Sequence, residues 1–129
     1  MTEGFVSLVG AGPGDRELIS VKGLRRIQEA DIIFYDFLVN ERLLNAASEK
    51  CETVYVGKSA NEHHYTQDKI NECLVTEAKK GQKVVRLKGG DSFVFGRGSE
   101  EILALKKEGL SFEVVPGIPA AVALSLIHI

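Results

Sequence analysis

Apolar residues along this chain gather into five short runs, at positions 5–9, 32–35, 53–56, 83–87 and 111–115. Longer stretches lie between them, where apolar residues recur at helical spacing. Short runs bounded by turn residues predict β-strands. The second, fourth and fifth are continuous rather than alternating, the pattern of parallel strands covered on both faces. Ser20 is placed to cap a helix carrying Val21, Leu24, Ile27 and Ala30. Thr66 is placed to cap another whose Ile70, Cys73, Leu74 and Ala78 fall on one face, with Lys79, Lys80 and Gly81 at its end. Ser99 ahead of Glu100 and Glu101 marks the start of a third helix, which Gly109 closes. Strands alternating with helices predict an α/β fold: an open, mainly parallel five-stranded sheet flanked by helices.

Each predicted strand runs into a distinctive turn. The first meets Gly10-Ala11-Gly12-Pro13-Gly14-Asp15, the second Asp36, and the third Gly57-Lys58. The fourth meets Gly89-Gly90-Asp91 and the fifth Pro116-Gly117. Parallel strands bring these ends to one edge, where ligands of such sheets bind. Gly, Pro and Asp also populate ordinary turns, so any single loop is open to that reading. All five together favour a small-molecule cleft floored by glycine backbone, with carboxylates and the Lys58 ammonium on its rim. Gly10-x-Gly12 with Asp36 at the end of the second strand has part of a dinucleotide-binding pattern. Its sixth position is Asp15, where that pattern needs a small residue and where an acid repels a pyrophosphate. A cofactor without phosphates, such as a sulfonium nucleoside, suits this loop better. An NAD- or FAD-binding oxidoreductase domain is the alternative.

Composition narrows the classes further. A net charge of −2 with basic residues scattered along the chain predicts no nucleic-acid partner. No basic segment leads into a long apolar run, and the apolar stretch 118–129 falls short of the ~20 residues that span a bilayer. No membrane association is expected, and a cytoplasmic location is. That stretch reads as a buried helix with Pro119 in its first turn, and its end within an apolar body points to a fragment. Cys51 and Cys73 lack CxxC spacing and read as reduced thiols. His63 and His64 are adjacent with no further ligands at metal-binding spacing, so no metal site is predicted.

The residues at the strand ends carry a resemblance. The segment from Val6 through Asp15, Tyr35-Asp36, Gly57-Lys58, Arg86-Leu87-Lys88-Gly89-Gly90-Asp91, Phe95-Gly96-Arg97-Gly98 and Val115-Pro116-Gly117-Ile118 resemble the tetrapyrrole methylase family. The resemblance runs from about Phe5 to Ala121, and the stretch from Arg86 to Gly98 is its specific part. It implies that residues 1–129 form the N-terminal α/β domain of such an enzyme, with a C-terminal domain absent. The implied activity is C-methylation of uroporphyrinogen III to precorrin-2 with S-adenosyl-L-methionine (SAM) as co-substrate. An inert fragment of the same fold is the other reading. A tetrapyrrole is thus the expected small-molecule partner, and the resemblance implies a homodimer at full length. Carried over by position, Pro13, Gly89, Gly90, Asp91, Val94, Pro119 and Ala120 contact SAM. Asp36 and Lys58 match the family's proton acceptor and donor, against the plainer readings of a turn cap and a solvated lysine. Arg97 is a further cation for an acidic substrate. Two positions depart from the family: Ser92 replaces a usual proline, and Pro119 replaces a usual Thr or Ser, removing a hydroxyl and an N–H donor.

Overall fold

The computed structural model describes residues 4–13, 16–36, 39–57, 65–89 and 98–117. Five strands, β1 (Phe5–Gly10), β2 (Ile32–Tyr35), β3 (Glu52–Tyr55), β4 (Lys83–Lys88) and β5 (Ser111–Val115), form one sheet in the order β3-β2-β4-β1-β5. Every pairing is parallel, and Val84 of β4 sits opposite both Val6 and Ile32. The expected parallel α/β sheet is present, with strand bounds within a residue of those the sequence predicts.

Helices α1 (Val21–Glu29), α2 (Gln67–Lys79) and α3 (Gly98–Lys107) start where capping chemistry places them in two cases out of three. Ser20 accepts a hydrogen bond from the Gly23 N–H and Thr66 from the Lys69 N–H. The third helix begins at Gly98, so Ser99 lies inside its first turn beside Glu100 and Glu101. Gly81 and Gly109 leave α2 and α3 with φ of 87° and 67°, the left-handed geometry that ends helices at glycine.

Strand periodicity sorts the core into two layers. Val6 and Leu8 of β1, Ile32 and Phe34 of β2 and Val84 of β4 pack with Ile70, Leu74 and Ala78 of α2 and Leu105 of α3. Val9, Ile33, Val85 and Leu87 face the other way, against Ile27 of α1 and Leu43 in the short 3₁₀ segment Glu41–Ala46. Thus α1 covers one face, and α2 with α3 the other.

Two sequence expectations change here. Val21 is 75% exposed, and the buried face of α1 runs through Gly23 and Ile27. A Cβ at Gly23 would lie 3.1 Å from Val9 Cγ1, so its missing side chain lets the helix approach the sheet closely. The fifth strand is less deeply buried than a continuous apolar run implies; β5 is an edge strand, only its Val115 is fully buried, and it carries Glu113. Glu113 stands opposite Ser7 in the β1–β5 register. Ser7 Oγ donates to Glu113 Oε2 at 2.7 Å, Arg26 Nε donates to the same oxygen, and Lys22 Nζ lies 3.1 Å from Oε1. Partial burial pushes this carboxyl up, but hydrogen bonds from Arg26, Ser7 and Lys22 outweigh it and hold the group at about 2. The cluster ties α1 to the β5 edge.

Two outcomes follow for stability. The folded-state value of Glu113 lies below its ordinary 4.5, so its contribution is present above that pH and is lost as pH falls toward about 2. Glu113→Gln is therefore expected to be less stable than the parent at neutral pH, with the gap closing in acid, as read from urea midpoints across pH. Gly23→Leu forces a side chain into the α1–β1 contact and is expected to cost about 1–3 kcal/mol in the same assay.

Candidate functional site at the C-terminal edge of the sheet

Parallel pairing brings the ends of all five strands to one edge. Gly10 is paired with Lys88, and the Ala11 N–H donates to the Lys88 carbonyl at 2.7 Å, joining the first glycine loop to the end of β4. Gly12 turns that loop with φ of 83°, and a Cβ there would meet the Leu18 carbonyl oxygen at 3.0 Å. On the far side of β4, the Val56 N–H donates to the Tyr35 carbonyl at 2.8 Å, which sets Asp36 beside the approach to Gly57. The Tyr35 and Tyr55 rings meet edge to face, with centroids 5.4 Å apart.

The chain leaves β1 toward α1 on one face and leaves β4 toward α3 on the other. Neighbouring strands whose connections diverge in this way open a crevice at their C-terminal ends, the usual ligand position in such sheets.

Just beneath that edge lies a group of charges that the apolar reading of β4 missed. Arg86 and Lys88 alternate with Val85 and Leu87, so both turn to the face covered by α2 and α3. They are 5% and 4% exposed, and Glu101 in the first turn of α3 is fully buried between them. Arg86 Nε donates to Glu101 Oε2 at 2.9 Å, and Lys88 Nζ lies 2.8 Å from Oε1. Gln67 Nε2 of α2 donates to Glu101 Oε2 at 3.3 Å. The outer end of Arg86 faces Asp36, with Nη2 4.0 Å from Oδ2. Burial pushes the Lys88 ammonium below its ordinary value, opposed by Glu101. Two cations at alternate positions of a central strand are the sequence signal for this group, since each needs a buried partner.

Of the site residues expected from sequence, Asp36, Pro13 and Gly89 lie within the described residues, and all follow strand ends on this edge. Lys58, Gly90, Asp91, Val94, Arg97, Pro119 and Ala120 lie outside the described residues. Cys51 and Cys73 are free and partly buried, and burial raises both thiols above their ordinary value. Among the described residues, no group of three or more His, Cys, Asp or Glu is arranged to hold a metal, and no helix is long and apolar enough to cross a membrane.

The chain is 57% identical over 121 residues to a uroporphyrinogen-III C-methyltransferase of Methanocaldococcus jannaschii, covering 94% of this chain and 50% of that protein. It is 51% identical over 122 residues to a siroheme synthase of Blochmanniella pennsylvanica, covering 95% of this chain and 26% of that one. A crystal structure of uroporphyrin-III C-methyl transferase from Thermus thermophilus, complexed with S-adenyl homocysteine, superposes with a TM-score of 0.83 at 48% identity. That match covers 95% of this chain and 52% of the other. The chain thus spans about half the length, or less, of the curated relatives it matches. These matches disfavour the NAD- or FAD-binding alternative. The sequence profile of the Tetrapyrrole (Corrin/Porphyrin) Methylases matches residues 6–128, and the chain belongs to that family.

Proposed function

We propose that this chain is the N-terminal α/β domain of a cytoplasmic, homodimeric enzyme that C-methylates uroporphyrinogen III to precorrin-2 with SAM. The observation that carries this reading is the meeting, on one sheet edge, of the first glycine loop, Asp36 and the Lys88–Gly89 turn. Relatives named for this activity support it. The chemistry of the edge also fits the co-substrate. Its first loop is tightly turned backbone at Gly12, and its buried cations are paired with Glu101. Backbone and carboxylate suit a sulfonium better than a pyrophosphate.

SAM, when bound, supplies a methyl group already activated for transfer. The work left to the protein is to align that methyl with an electron-rich pyrrole carbon and to exclude water. In this reading Pro13, Gly89, Gly90, Asp91, Val94, Pro119 and Ala120 hold the co-substrate. The macrocycle that gains the methyl must then lose a proton, and Asp36 is the carboxylate that takes it. Lys58 donates a proton or pairs with the acidic side chains of the tetrapyrrole, and a second domain completes the cleft.

In the complete enzyme, Asp36→Asn is expected to lower kcat roughly 10²–10⁴-fold while SAM affinity measured by calorimetry is kept. An unchanged kcat would remove Asp36 from the mechanism. Residues 1–129 alone are expected to bind SAM much more weakly than the complete enzyme; equal affinities would overturn the two-domain reading.

A further inference from the structure

The fully buried Glu101 is not among the residues assigned to SAM or to proton transfer, yet it is the hub of the charges under the site. It contacts Arg86 and Lys88 from β4 and Gln67 from α2. Arg86 in turn spans the distance to Asp36, with its Nε on Glu101 and its Nη2 4.0 Å from the Asp36 carboxylate. Among the described residues, two cations and two carboxylates therefore share this part of the sheet, with Asp36, at 20% side-chain exposure, the member open to the edge. Charges in such a setting are weakly screened, so losing one member changes the potential at the others.

We propose that Glu101 is a positioning residue: by engaging Arg86 and Lys88 from below, it limits the positive charge presented to Asp36 and keeps that carboxylate available to accept a proton. The inference rests on Asp36 being the proton acceptor. Glu101 touches no substrate in this reading; it acts through Arg86. With its negative charge removed, Arg86 and Lys88 retain Asp36 as their neighbouring carboxylate among the described residues. Arg86 is then drawn onto the acceptor, which becomes a weaker base.

The test uses the complete enzyme and the pH profile of kcat, which reports the acceptor in the enzyme–substrate complex. Glu101→Gln keeps the shape of the side chain and removes its charge. It is expected to move the acid limb of the profile down by about one pH unit, as a nearby cation does to a carboxylate. The plateau is expected to fall about tenfold, part of what a positioned base contributes. Lys88→Met removes a cation instead and is expected to move the limb the other way, which keeps the test usable if Glu101→Gln fails to fold. The double variant restores the charge balance and is expected to return the limb toward its original position. A folded Glu101→Gln or Lys88→Met enzyme with lowered activity and an unmoved limb would overturn the proposal, since a packing defect reduces amplitude alone. Asp36→Asn separates the two readings. If it retains full kcat, the acceptor assignment fails and the positioning role falls with it. If it is inactive and the limb does not move in the other variants, only the role of Glu101 is lost.

Discussion

Because all five strands run parallel, the chain must return to the same starting edge after each one, and it does so through helices or crossover segments. The consequence is geometric. Every strand-to-helix loop is delivered to one edge, and every helix-to-strand loop to the other. The strand order adds the second constraint. The chain moves outward from β1 to β2 and β3, then returns to place β4 in the gap between β1 and β2. That insertion sets the Lys88–Gly89 turn between the first glycine loop and Asp36, although the three are far apart in sequence.

Placing β4 at the centre has an energetic cost, because it carries Arg86 and Lys88 into a buried layer. An unpaired buried charge is strongly unfavourable, and removing one partner of such a pair typically costs about 3–5 kcal/mol. Glu101 meets this requirement from the first turn of α3, so the helix that covers the face also neutralises it. The same contact fixes where α3 begins relative to the sheet edge. A purely apolar pair of side chains could fill this space with equal stability. The charges are better understood through what lies above them, since Arg86 reaches Asp36.

The opposite face is organised by a simpler device. Gly23 allows α1 to lie close over β1, and Glu113 on the edge strand gathers Lys22 and Arg26 from that helix together with Ser7. An acid on an edge strand also discourages unwanted strand addition there. Both faces therefore join a helix to the sheet through a carboxylate as well as through apolar contact.

The element pattern was legible in the sequence because it depends on local chemistry. Apolar runs, the Ser20 and Thr66 caps and the helix-ending glycines act within a few residues of themselves, and the strand bounds follow from them. Family membership was legible too, since it rests on glycine, proline and aspartate at the strand ends. Other features were decided only by tertiary structure. Val21 matches the helical apolar face by spacing, but the close approach at Gly23 turns that face elsewhere and leaves Val21 in solvent. Arg86 and Lys88 interrupt an apolar run with no local sign of their partner, because Glu101 belongs to the next helix and meets them only once α3 folds back over the sheet. Sequence determined which residues could build strands, turns and a carboxylate-rimmed edge; the sheet order decided which charges meet there, because pairing across strands depends on spatial neighbours that chain spacing does not encode.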